Sequence, residues 1–211
     1  LALALKAADP HIVTVAGGNY CEPFIFGGML LHRGAFDFVA LGEGEVTLLE
    51  ILVRLETGRD LRSIPSTLVK ADGETIENPR RDKIVDFEGL PWPDFDDFDL
   101  SLYWEPDQSR RSTRLPLLFA RGCFCNCDFC MQSVIWGKPY VQRSGEALFA
   151  EVQRNVQRHG VHEFQFADLA INGDLRKLGR FCDLVIESGL DIRWGGGANI
   201  RKGMDRAFLE K

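Results

Sequence analysis

The 211-residue sequence has no apolar run near the roughly 18 residues that a membrane-spanning helix needs. No segment reads as a secretory signal, and no membrane span is expected. Basic tracts are short too, with nothing longer than Arg80-Arg81 plus Lys83. Lys and Arg number 25 against 31 Asp and Glu, a net charge of −6. That balance argues against nucleic acid as the main partner, because a phosphate backbone calls for a basic stripe. Low-complexity segments and internal repeats are absent. The four histidines, His11, His32, His159 and His162, show no spacing with a second ligand and receive no chemistry. An initiator Met is missing at Leu1. Both ends look cut: Leu1 to Ala8 resembles the last turns of a helix under way, and Asp205 to Lys211 a helix just begun. The chain reads as an internal piece of a longer polypeptide.

What is present is core-forming material: 45% of residues are hydrophobic, too many for a disordered chain. At about 150 residues per domain, the length suits one large or two small domains. The pattern is α/β. His11 to Ala16 reads as a strand closed by Gly17-Gly18, Glu22 to His32 as a helix, and Phe36 to Leu41 as a second strand. After Gly42-Glu43-Gly44-Glu45 comes an amphipathic helix with Leu48, Leu49, Leu52 and Leu55 on one side, stopped near Gly58. This alternation predicts parallel βαβ units with ligand-facing loops at the strand C-termini. Ser66 to Lys70 and Glu74 to Ile76, joined by Asp72-Gly73, form a hairpin. Asp86 to Trp104, rich in Pro and Asp, reads as a connector whose aromatics pack onto its neighbours. Its acidic run lacks the alternate-position loop and closing Glu of a calcium-binding EF-hand. Leu115 to Ala120, Glu163 to Ala167 and Asp191 to Trp194 are strands again. Between them lie a helix capped by Ser144 and ended by Gly160, and another stopped by Gly189. The boundaries fall at 1–62, 63–112 and 113–211.

The six cysteines are unevenly placed. Cys21 and Cys182 stand alone, whereas Cys123, Cys125, Cys127 and Cys130 fall within eight residues. A disulfide framework spreads its cysteines to staple distant segments, so a tight cluster points to a metal or iron–sulfur site in a reducing compartment, the cytoplasm. Cys123, Cys127 and Cys130 have the spacing Cys-x3-Cys-x2-Cys. Thiolates are soft ligands, and one short loop can place three of them around a [4Fe–4S] cube, leaving one iron with an open position. The competing reading is a zinc knot that also uses Cys125. Zinc ligands usually come as two separated pairs, and no second pair is present.

The spacing, the Arg121-Gly122 lead-in after a strand, and Phe129 before the last cysteine resemble the cluster loop of the radical SAM superfamily. The resemblance implies that Cys123, Cys127 and Cys130 hold a [4Fe–4S] cluster whose open iron chelates S-adenosylmethionine. An electron donor such as flavodoxin or ferredoxin would reduce the cluster, and cleavage would yield a 5′-deoxyadenosyl radical. The backbone at Phe129 would lie near the adenine. Asp168, at the end of a strand that resembles the family's second, would help hold the amino group; the bland alternative is a helix cap or a surface acid. Arg201, after the third strand, offers a bidentate fork for the carboxylate, and otherwise is a surface charge. Arg143 is a further candidate for that carboxylate.

The first part, through Val13 to Gly18 and Asp37 to Glu45, resembles the cobalamin-binding domain that precedes the radical domain in one large subgroup. Gly17 and Gly18 would let backbone approach the cofactor's nucleotide tail. The implied architecture is the C-terminal half of a Rossmann-like cobalamin-binding domain, followed by the first βα units of a partial (β/α) radical SAM barrel. The implied activity is methyl transfer to a small-molecule or peptide substrate, with ring formation or contraction and an empty cobalamin-like domain as the rival enzyme reading. A non-catalytic metal or iron–sulfur module is the rival outside enzymes.

Overall fold

The computed structural model describes residues 1–22, 26–86, 88–103, 113–136 and 139–210. Residues 23–25 of the expected Glu22 to His32 helix, Phe87 and Trp104 of the expected connector, and the last residue lie outside them. The chain divides into two units, Leu1–Ile84 and Val85–Lys211.

The first unit contains α1 (Ala2–Ala8), β1 (Val15–Ala16), a single 3-10 turn (Asn19–Cys21), α2 (Gly27–His32), β2 (Phe38–Ala40), α3 (Gly44–Thr57), β3 (Thr67–Ala71) and β4 (Glu74–Glu77). Its sheet runs β1-β2-β3-β4. β1 and β2 are parallel, with Val15 opposite Phe38 and Ala16 opposite Val39, while β3 and β4 continue the sheet antiparallel. The hairpin thus extends the sheet of the first unit. Its Asp72 and Gly73 have φ of 53° and 87°, the left-handed pair that matches the twist of two-residue hairpins. β2 is buried on both faces: Val39 packs with Ala16, Leu31, Leu41 and Leu68, and Phe38 with Ile51, Ile64 and Val69.

α3 departs from its sequence pattern. Thr47 and Ile51 are its buried residues, Leu55 is half-buried, and Leu48, Leu49 and Leu52 are exposed. Apolar residues run nearly all round this helix, so apolarity alone does not choose a face. Charge decides it: Glu50 pairs with Arg54 and with Arg81 at the margin of the buried face, which turns Leu49 and Leu52 outward. Ile51→Ala is therefore expected to cost about 2–5 kcal/mol, and Leu49→Ala no more than about 0.5 kcal/mol. Denaturant unfolding of the two variants checks this, and equal losses would contradict the assigned face.

The second unit contains β5 (Arg114–Leu117), β6 (Ala120–Arg121), α4 (Met131–Ile135), β7 (Val141–Gln142), α5 (Gly145–His159), β8 (Glu163–Phe166), α6 (Leu175–Ser188), β9 (Arg193–Gly195) and α7 (Arg206–Leu209). β5, β8 and β9 form a parallel sheet in that order. β6 and β7 form a separate antiparallel ribbon, so the expected Leu115 to Ala120 strand splits at Leu118-Phe119. Strand alternation sends Leu115, Leu117, Phe164 and Phe166 into a core with Leu148 and Val152 of α5 and Leu178 and Phe181 of α6. Ser144 Oγ accepts the Ala147 N–H at 3.1 Å, and the Asp174 carboxylate accepts the Arg176 N–H at 3.0 Å, capping α5 and α6. Gly160 and Gly189 end them in the left-handed conformation. Gly145 lets the two helices touch, since a Cβ there would lie 2.6 Å from the Phe181 nitrogen.

The acid-rich stretch lies along the basic side of α5: Asp96 pairs with Arg158, and Arg154 sits over Trp92. Phe95 packs against the core. Among the described residues, no helix is long and apolar enough to cross a membrane.

Candidate metal centre and cofactor loops

The cysteine loop leaves the second unit at a defined place. β6 and β7 pair Ala120 with Gln142 and Arg121 with Val141, so residues 122–140 are an excursion closed at its base by a two-stranded ribbon. Gly122, with φ of 79°, makes the sharp exit. Cys123, Cys125, Cys127 and Cys130 are all half-buried and outside any disulfide. The Cys130 N–H donates to the Cys127 carbonyl at 3.0 Å, a tight turn between the last two thiols of the motif. Partial desolvation pushes the Cys125 thiol up, as do the neighbouring Cys123 and Cys127, while Arg201 opposes the shift. Phe129 stands 93% exposed. Among the described residues, no three His, Cys, Asp or Glu side chains converge on a single-ion site. Three soft thiols carried by one loop are the donor set suited to the corners of an iron–sulfur cluster.

Asp168 lies two residues beyond the end of β8. Its carboxylate accepts the Phe119 N–H at 3.0 Å and the Ala120 N–H, so it fastens the backbone that leads into the cysteine loop. Burial raises its pKa to about 6, against the backbone N–H groups of Phe119 and Ala120, which lower it. The sign of the pH effect follows. Between about pH 4 and pH 6 the folded chain holds this proton and the unfolded chain does not, so Asp168 subtracts stability as pH rises through that window. Unfolding midpoints across it should show a downward contribution that Asp168→Asn removes. An unchanged pH slope in that variant would contradict the assignment.

Arg201 lies in the loop after β9. Its Nη1 donates to the Asn172 carbonyl at 3.0 Å and the Gly173 carbonyl at 2.6 Å, and its guanidinium sits 5.0 Å over the Phe124 ring. Asp168, Cys123 and Asp174 all act electrostatically on Tyr140. The structure therefore brings Cys123, Cys125, Asp168 and Arg201 into one neighbourhood, on loops that follow strand ends. Arg143 is used elsewhere. It is 5% exposed and bonded to Glu151 and to the carbonyls of Leu118 and Ala147.

Sequence reasoning passed over Tyr140, Gln142 and Asn172. The buried Asn172 exchanges hydrogen bonds with the backbone of Asn199, and Gln142 donates to the Ile171 carbonyl while accepting from Asp174 N–H. The only hint in the sequence is Gly173 after a strand end, because the partners are about thirty positions apart.

In the first unit, Gly17 and Gly18 follow β1. Gly18 has φ of 93°, and a Cβ there would meet nothing within 4 Å. The nearby loop after the parallel strand β2 is tied in by Glu22, which accepts the Gly42 N–H at 3.1 Å and pairs with Arg80 at 2.7 Å. Open space beside a left-handed glycine fits the close approach of a bulky ligand.

No protein-family model matches the chain. An anaerobic magnesium-protoporphyrin IX monomethyl ester cyclase of Rubrivivax gelatinosus is 29% identical over 194 residues, 90% of this chain and 34% of the relative. The cobalamin-dependent S-adenosylmethionine radical enzyme OxsB, solved with aqua-cobalamin bound, superposes with a TM-score of 0.67 over 98% of this chain and 29% of its own, at 16% identity. At this identity the likeness to OxsB shows a shared fold, which extends over nearly the whole of this chain. TsrM from Kitasatospora setae, a radical S-adenosylmethionine methyltransferase solved with cobalamin and a [4Fe–4S] cluster, shares the fold with a TM-score of 0.57 and 19% identity, over 82% of this chain and 34% of its own. The chain spans about a third of the length of these relatives.

Proposed function

We propose that this chain carries the cluster site of a radical SAM enzyme, with Cys123, Cys127 and Cys130 as ligands to a [4Fe–4S] cluster and Cys125 outside the ligand set. The observation that carries this reading is the cysteine loop itself. It is lifted from the end of a parallel sheet by the β6–β7 ribbon and fastened at its base by Asp168. When bound and reduced, the cluster supplies the electron that cleaves S-adenosylmethionine to a 5′-deoxyadenosyl radical. The chain's own residues bind and orient. The Phe129 backbone would hold the adenine, Asp168 the amino group, and the Arg201 guanidinium the carboxylate.

Gly17 and Gly18 are the assigned cobalamin contacts of the first unit, and methyl transfer is the assigned reaction, supported by the fold shared with TsrM. A cyclase at 29% identity favours ring formation as the second reading. The substrate is a small molecule or peptide, the electron donor a flavodoxin or ferredoxin, and the compartment the reducing cytoplasm that suits cysteines outside disulfides.

The test is anaerobic incubation of the reconstituted chain with dithionite and S-adenosylmethionine. Formation of 5′-deoxyadenosine supports the reading, and a cluster whose spectrum ignores S-adenosylmethionine contradicts it. Titration with hydroxocobalamin, followed by its absorbance, then separates a cobalamin-loaded first unit from an empty one.

A further inference from the structure

Phe124 sits between Cys123 and Cys125 and is held from two sides. The Tyr140 ring meets it edge-on, with centroids 5.5 Å apart at 86°, and the Arg201 guanidinium covers it. Tyr140 in turn is held by the loop after β8. Its hydroxyl lies 3.0 Å from the Ala170 carbonyl and 2.9 Å from Gln142 Oε1, and it accepts the Gly173 N–H at 3.2 Å. Residue 173 has to be glycine for this, because a Cβ there would lie 2.1 Å from the Tyr140 ring. Gln142 bonds the same loop at Ile171 and Asp174, and Arg201 bonds it at Asn172 and Gly173. One phenol thus links the loop that follows β8, which begins with Asp168, to the segment bearing the first cysteine.

We propose that Tyr140 is a positioning residue that sets the cysteine loop, through Phe124, at a fixed distance from the Asp168–Asp174 loop. In doing so it aligns the cluster ligands with the residues assigned to S-adenosylmethionine. The proposal rests on the function assigned above for its purpose, though not for its geometry. Burial holds the Tyr140 phenol protonated well above the ordinary tyrosine range, so its hydroxyl serves as a fixed hydrogen-bonding group. Removing the hydroxyl leaves the Phe124 contact but frees the ring from the β8 loop. Adding a methyl at Gly173 pushes the ring away without removing any atom of Tyr140.

The experiment has a cluster-free arm and a loaded arm. In the metal-free chain, iodoacetamide alkylation of each cysteine is followed by peptide mass spectrometry for wild type, Tyr140→Phe and Gly173→Ala, with Cys182 on α6 as the internal reference. Both variants should alkylate Cys123 about fivefold faster than wild type, the factor expected for one lost hydrogen bond, with the Cys182 rate unchanged. Equal Cys123 rates in all three chains would overturn the proposal whether or not a cluster ever binds. A parallel rise at Cys182 would also overturn it, because it would mean general loosening.

In the reconstituted chain, iron content should match wild type in Tyr140→Phe. The change in the electron paramagnetic resonance of the reduced cluster on adding S-adenosylmethionine should need about fivefold more ligand. A wild-type titration in that variant would overturn the positioning role. A wild-type chain whose cluster does not respond to S-adenosylmethionine would count against the assigned function, while the alkylation arm still decides whether Tyr140 holds the loop.

Discussion

Alanine in place of any one of Cys123, Cys127 or Cys130 is expected to leave the anaerobically reconstituted chain without its iron, while Cys125→Ala keeps about four irons per chain. The contrast follows from the loop. The Cys127–Cys130 turn is closed by its own backbone hydrogen bond, and Cys123 is set by Gly122 and the β6–β7 base. Cys125 sits beside Cys123 and Cys127 with its thiol pushed up in pKa, and the ligand spacing passes over it. Iron analysis and the visible absorbance of the reconstituted variants check the prediction. Loss of iron from the Cys125 variant equal to that of the other three would make this a four-cysteine site.

Glu151→Ala is expected to cost about 3–5 kcal/mol of folding stability, the penalty for stranding a buried charge. The pair it breaks is nearly closed to water, with Glu151 1% and Arg143 5% exposed. Arg143 also donates to the Leu118 carbonyl at 3.1 Å and the Ala147 carbonyl at 3.1 Å. Leu118 immediately precedes the two N–H groups that Asp168 holds. Loss of Glu151 therefore leaves an unpaired guanidinium beneath the base of the cysteine loop. Replacing both partners together, Arg143→Met with Glu151→Leu, should recover most of the loss, because it removes the charge and fills the space. Guanidinium unfolding of the single and double variants measures this. A single variant within about 0.5 kcal/mol of wild type, the range of ordinary surface changes, would mean that the pair is solvated in solution.

Much of the fold was legible because the chain writes local signals at its element ends. Ser144, Gly58, Gly160, Gly189 and Asp72-Gly73 each act within a few residues, and each stands in the structure where the sequence places it. The cysteine loop was legible for the same reason, since its spacing is contained in eight residues. α3 was misread because its apolar residues wrap too far round the helix, and the deciding partner, Arg81, comes from 31 positions away. The two-sided hold on Phe124 was invisible for a related reason. Tyr140 and Gly173 are 33 residues apart, and neither carries a spacing that announces the other. Arg143 was read as a possible ligand contact because an Arg before a helix looks exposed in sequence, whereas its partner eight residues later on α5 draws it into the core.

The proposed site has three thiols on one loop holding an iron–sulfur cluster that keeps one iron open for S-adenosylmethionine. Its most direct measurement is the electron paramagnetic resonance spectrum of the anaerobically reconstituted, dithionite-reduced chain, recorded before and after S-adenosylmethionine is added. A reduced [4Fe–4S] signal that changes shape on addition of the ligand is expected. A chain that takes up zinc in place of iron, or a cluster signal that S-adenosylmethionine leaves unaltered, would contradict it.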